Sequence, residues 1–183
     1  MIEISCAAGL ITVTIGWFLF RTAMYLKTKI YDWKQELWQL FFLANLLVIV
    51  RFTFYPFSKV DGQVQPLLFE SDKVFPLRVN LVPFVNILQF DTAADLILNL
   101  TGNFAMFIPT GILTPLIYKR IHTFGKVTLT GFLLSLIIEI LQLPFAVRAT
   151  DVDDLILNTA GCMVGYGIYA LGRYLIQKTK KHL

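Results

Sequence analysis

Residues 127–145 read VTLTGFLLSLIIEILQLPF, nineteen positions in which Glu139 is the one ionisable side chain. A helix rising 1.5 Å per residue needs about 17–25 residues to cross roughly 30 Å of hydrocarbon. The stretch therefore has the length and apolarity of a membrane span. Four more segments share them: 2–20, 37–55, 96–118 and 155–176. Of these, 37–55 is the least clean, because Arg51 falls near its end and Pro56 stops it. The chain as a whole agrees: 56% of its 183 residues are hydrophobic and the mean hydropathy is +0.67. Ordinary soluble domains hold about 45–50% apolar residues. The expected fold is an all-α integral membrane protein of about five transmembrane helices.

The first block has Glu3 and no Lys or Arg ahead of its apolar run, and no small-x-small cleavage signal after it. It is expected to stay as a span and not to be removed as a signal peptide. Two N-terminal spans then occupy 1–55, and a segment at 56–95 follows, too long for a passive connector. Within it, 80–90 is apolar but too short to cross, which predicts an interfacial segment at the membrane surface. Residues 177–183 form a basic tail.

Cytoplasmic loops collect Lys and Arg. With the N-terminus outside and the C-terminus inside, eleven of the sixteen basic residues fall on the inner side, leaving Arg51, Lys59, Lys73, Arg78 and Arg148 outside. Trp17, Tyr25, Tyr31, Trp33 and Trp38 crowd the proposed inner boundary of the first two spans, as an aromatic belt does. The 56–95 segment is then extracytoplasmic and the tail cytoplasmic.

The net charge of +4 raises the question of nucleic acid. No Lys/Arg stripe is interleaved with exposed aromatics, and no nucleic-acid partner is expected. Cys6 and Cys162 lie in no CxxC or Cys/His pattern, so neither zinc nor a redox pair is implied. His122 and His182 have no acidic partner at helical spacing and receive no catalytic role.

Polar side chains inside lipid are costly: a charge at a helix centre is worth about 2.5–3.5 kcal/mol on insertion scales. Glu139 follows an apolar run, with Gln142 on the same helical face. Asp95, Asn99 and Asn103 recur every four residues in the third span, and Asp151, Asp154 and Asn158 share one face of the fifth. All are expected at the outer ends of their spans, with Arg51, Arg148 and Asn80 nearby. Arginine forks at that level suit pairing with the carboxylates or capture of an anionic group. Taken singly, the asparagines read equally well as interhelical glue, worth about 0.6 kcal/mol each. Asp151 and Asp153 read equally well as caps of the fifth helix. The acidic run lacks the glycine of a calcium loop, and neither a metal nor a cofactor is expected. Gly102, Gly111, Gly161, Gly165 and Gly167 mark expected close helix approaches, with Gly161 and Gly165 packing within the chain. Pro109 and Pro115 are expected to kink the third span.

Four blocks, in order, carry a family resemblance. They are Asn80-Leu-Val-Pro-Phe84; Asn99-Leu-Thr-Gly-Asn103 leading to Phe107-Ile-Pro109-Thr-Gly111; Glu139-Ile-Leu-Gln142; and Arg148-Ala-Thr-Asp151-Val-Asp153-Asp154 leading to Asn158-Thr-Ala-Gly161 and Gly165-Tyr166. Over 78–170 the sequence resembles the VanZ-like family of bacterial membrane proteins, which makes 78–176 a VanZ-like core. Thr150 departs from the pattern, where an aromatic often precedes the aspartate. The resemblance implies a role at the bacterial cell surface, linked to lowered susceptibility to teicoplanin-type glycopeptides, and supplies no reaction.

The leading expectation is a non-catalytic protein of the bacterial cytoplasmic membrane. Arg51, Asn80, Asn99, Asn103, Glu139, Gln142, Arg148, Asp151, Asp154 and Asn158 would bind an anionic envelope lipid or lipid-linked glycan, touching a glycopeptide antibiotic only indirectly. The alternative is a membrane-embedded hydrolase or transferase on a lipid-linked substrate, with Glu139 or Asp154 as general base. Against it stands the lack of a Ser or Cys beside a His. A transporter fits least, since the polar groups crowd one leaflet.

Overall fold

Ser5, Asp32 and Thr92 open three of the five helices. The side chain of each accepts a hydrogen bond from a backbone N–H of the first turn, at Ala8 (3.2 Å), Lys34 (3.0 Å) and Asp95 (3.1 Å) respectively. Those N–H groups have no partner inside a helix. In the computed structural model, which describes residues 2–55, 59–60, 62–69, 79–80, 82–85, 92–145 and 150–181, the helices are α1 (Cys6–Thr28), α2 (Trp33–Phe54), α3 (Ala93–Ile117), α4 (Phe124–Gln142) and α5 (Val152–Lys180). All five are long and apolar enough to cross a membrane. Six short strands accompany them: β1 (Ile2–Ile4), β2 (Lys59–Val60), β3 (Gln63–Val64), β4 (Leu67–Phe69), β5 (Val79–Asn80) and β6 (Thr150–Asp151). The chain is an all-α multi-pass membrane protein.

Helix ends differ from the expected spans for identifiable reasons. The apolar run predicts a first span at 2–20, but 2–4 is strand and the helix continues through Arg21 to Thr28. Hydropathy falls at Arg21; helicity does not. Termination comes at Lys29, whose φ of 55° is left-handed and whose N–H donates to the Tyr25 carbonyl at 2.7 Å. α4 stops at Gln142, short of 145, because a proline at 144 disfavours helix in the residue before it. α3 runs on as one helix through Pro109 and Pro115.

Hydroxyls within the spans turn back on their own backbone. Thr12, Thr14, Thr22, Thr53, Thr130 and Thr159 each donate to the carbonyl four residues earlier, at 2.7–2.9 Å. In a solvent without hydrogen-bond partners, this hides the polar group at little cost.

The chain divides into two units, one of residues 1–80 with 138–151 and one of 81–137 with 152–183, so the division falls inside α4. In the first unit, α1 and α2 form a helical hairpin joined by 29–32. Its ties are the Trp17–Phe42 ring contact (centroids 5.7 Å apart), an Arg21–Glu36 ion pair, and a Tyr55 hydroxyl that donates to the Ser5 carbonyl at 3.1 Å. α1 buries none of its residues, whereas α2 buries Phe42, Leu43, Ile49 and several polar groups. β1 pairs antiparallel with β4, β2 with β3, and β5 parallel with β6. Phe145 lies edge-on to both Phe54 and Phe69, at 6.0 Å in each case.

In the second unit, α3 and α5 pack backbone to backbone. A Cβ at Gly161 would meet the Phe104 carbonyl, one at Gly165 the Ile108 carbonyl, and one at Gly111 the Cys162 carbonyl, all far inside van der Waals contact. The Gly161/Gly165 pair thus packs within the chain, as expected. Gly102 and Gly167, expected at similar approaches, face open space. Phe107, Leu113, Ile117, Val127 and Cys162 fill the interior of this unit.

The pairings fix parity. β1 precedes two helices and its partner β4 follows them; β5 and β6 likewise flank α3 and α4. A chain that crosses twice returns to the side it left, so each pair meets without contradiction.

Candidate functional site

Some of the expected site residues are bonded to one another, Glu139 and Asn80 to Asp151 in the first unit and Asn103 to Asp154 in the second. In the first unit, the α4 residue Glu139 is only 3% exposed, and its Oε2 accepts from the backbone N–H of Asp151 at 3.1 Å. Asp151 in turn receives the Asn80 amide on Oδ1 at 3.3 Å, and the same two residues face each other in the β5–β6 ladder. Glu139 therefore anchors the strand that leads into α5, a role its sequence position does not announce.

Gln142 has a different task. It is 5% exposed and its Nε2 donates to the Thr53 carbonyl at 2.6 Å. Thr53 lies in the last turn of α2, where carbonyls lack an intrahelical donor. Arg51, in the same turn, donates to the Tyr55 carbonyl at 3.3 Å, and its guanidinium sits 5.2 Å from the centre of the Phe52 ring. A cation here also complements the negative end of the helix dipole. Gln142 and Arg51 together finish α2.

In the second unit, the α3 residue Asn103 donates to Asp154 of α5, and Asn158, one turn beyond Asp154, donates through Nδ2 to Ser135 of α4 at 2.9 Å. Asn158 is 1% exposed and Ser135 fully buried. No described residue meets Asn158 Oδ1 with a hydrogen bond. The two ends of an amide are interchangeable in placement, so either way one end of this buried group stays open.

Asp153, in the first turn of α5, also holds a distant backbone group. It is buried, and both its carboxylate oxygens accept from the Phe84 backbone N–H, at 2.8 and 3.0 Å. Phe84 has a φ of 63°, a left-handed conformation rare for an aromatic residue. The carboxylate reinforces that turn. Val82, Phe84 and Val85 are exposed, and the rest of the expected interfacial segment at 81 and 86–90 lies outside the described residues. So does Arg148. Asn99 is exposed on α3, and Asp95 is occupied with the Thr92 hydroxyl at 2.7 Å. Of the expected stripe Asp95, Asn99 and Asn103, only Asn103 reaches the interior.

Ser135 and Asp153 are the residues that sequence reasoning passed over as site members. A serine inside the apolar run 132–138 was the available signal for the first. Asp153 at a helix start reads equally well as a cap, and its Phe84 partner, 69 residues away, leaves no local signal. Among the described residues, no group of three His, Cys, Asp or Glu is arranged to hold a metal ion.

Five apolar helices, four of them carrying buried carboxylates or amides, define a polytopic membrane protein. Comparison places it more closely: the chain belongs to the VanZ/LLP1 family, whose model matches residues 42–173. The match opens inside α2 and takes in every site residue named above. The chain is similar to Protein VanZ of Enterococcus faecium, 36% identical over 101 residues, which covers 55% of this chain and 58% of that protein. The match thus spans little more than half of the relative. No solved structure matches the chain.

Proposed function

We propose that the protein is a VanZ-like component of the bacterial cell envelope whose interior polar side chains bind the head group of an anionic envelope lipid or lipid-linked glycan, lowering susceptibility to teicoplanin-type glycopeptides. Family membership supports the envelope role. Asn158 carries the binding role. Leaving one end of a buried amide unbonded costs about 1–3 kcal/mol, a cost that a glycan hydroxyl or a phosphate oxygen would remove. Within the second unit, Asn103 and Asp154 would shape the surroundings of Asn158; in the first, Arg51 and Arg148 would offer positive charge to an anionic group.

The test is expression in a susceptible bacterium. Asn158→Leu, similar in volume and without the amide, is expected to return teicoplanin susceptibility to the empty-vector level at unchanged protein abundance. Glu139→Ala and Arg148→Ala should do the same. Full resistance in all three variants would remove these residues from the mechanism.

The reading places the N-terminus outside and the C-terminus in the cytoplasm, supported by the eleven basic residues that this orientation gathers on the inner side. A green fluorescent protein fused after Leu183 should fluoresce in the same cells. A dark but full-length fusion, with alkaline phosphatase active at that position, would reverse the orientation.

A further inference from the structure

The α1–α2 turn holds a cleft of about 350 Å³ lined by Arg21, Thr22, Tyr25, Tyr31 and Glu36. It belongs to the first unit and lies at the opposite end of α2 from Thr53 and Gln142. It also precedes the family-matched stretch, so nothing in the family match accounts for it. A turn that joins two spans sits where hydrocarbon gives way to water. A cleft there meets lipid head groups whichever side of the membrane it faces.

Its polar wall is asymmetric. Glu36 takes the Nε edge of Arg21, accepting from Nε at 3.3 Å and from Nη2. A guanidinium has five N–H donors. Three are left, two of them on Nη1, and among the described residues none is engaged. The ion pair is half-buried, and the carboxylate fixes the plane of the guanidinium. The open edge is thereby held ready for a planar or tetrahedral oxyanion. The charge around it has the matching sign: residues 21–36 contain Arg21, Lys27, Lys29 and Lys34 against Asp32 and Glu36. Tyr25 and Tyr31, both exposed, bring rings for the glycerol region and hydroxyls for the phosphate.

We infer that this cleft binds the phosphodiester of an anionic phospholipid, with the free edge of Arg21 on the phosphate oxygens and Glu36 as the residue that positions it. The site is independent of the head-group reading proposed for the interior residues.

All three tryptophans, Trp17, Trp33 and Trp38, are in this hairpin, and bromine on a nearby acyl chain quenches them. The full chain is reconstituted in nanodiscs of phosphatidylcholine with a rising fraction of phosphatidylglycerol, each lipid brominated in turn. Brominated phosphatidylglycerol is expected to reach half-maximal quenching at about a five-fold lower mole fraction than brominated phosphatidylcholine. Arg21→Gln should abolish the preference. Thr22→Phe, which fills the cleft and leaves the ion pair intact, should abolish it too and keeps the test decisive if Arg21→Gln does not fold. The Lys27→Gln, Lys29→Gln, Lys34→Gln triple variant should retain it. Equal quenching by the two lipids overturns the inference, as does a preference that survives Thr22→Phe or vanishes only in the triple variant. Displacement by soluble glycerol phosphate would make this a site for free phosphoesters and overturn the lipid assignment.

Discussion

α5 and α1 have similar apolar character and are held by contrasting means. α5 gives up side chains at Gly161 and Gly165 so that its backbone lies against the α3 carbonyls of Phe104 and Ile108, and it buries Asp153, Asn158 and Cys162 as well. α1 buries nothing and is tied to α2 near its ends, by the Tyr55–Ser5 hydrogen bond and the Arg21–Glu36 pair, with Trp17 on Phe42 between. In lipid an apolar surface gains nothing by leaving its solvent, so helices associate through close packing and polar contacts. One helix uses that association along its length; the other takes it at isolated points.

The same substitution sharpens the contrast in three places. Gly165→Ala is expected to cost the most, about 1–3 kcal/mol or loss of folded protein, because the new methyl meets the Ile108 carbonyl and backbone cannot step aside. Gly9→Ala comes next, near 1 kcal/mol. There the obstacle is the tip of the Tyr55 side chain, which can swing away at the loss of its bond to Ser5. Gly16→Ala meets nothing within 4 Å and should be neutral or stabilise by up to about 1 kcal/mol through helix propensity. Thermal unfolding in detergent, followed by circular dichroism, ranks the three. A Gly9 variant as damaged as the Gly165 variant would erase the distinction between the two helices.

The spans were legible because about 20 apolar residues have one economical arrangement in a bilayer. Their ends were less so: hydropathy registers where the lipid stops, while caps at Ser5, Lys29 and Asp32 register where the helix stops. The polar residues were legible as a set and not as partnerships. Glu139 stood out as a lone charge in an apolar run, yet nothing local tells that it accepts from Asp151. Gln142 shares a helical face with Glu139, but its bond is to a carbonyl 89 residues earlier. Two-residue strands such as β5 and β6 are too short to show a period of two, and an aspartate at a helix start looks the same whether it caps or holds Phe84.

The β5–β6 ladder sets an order on synthesis. Asn80 leaves the ribosome 71 residues before Asp151, an interval of about 4–14 s at typical elongation rates of ~5–20 residues per second. Until then Asn80 has neither its ladder partner nor the carboxylate that receives its amide. β5 must wait for its partner strand while two more helices are threaded into the bilayer, which makes that interval the time at which insertion machinery or a protease has its best access to it.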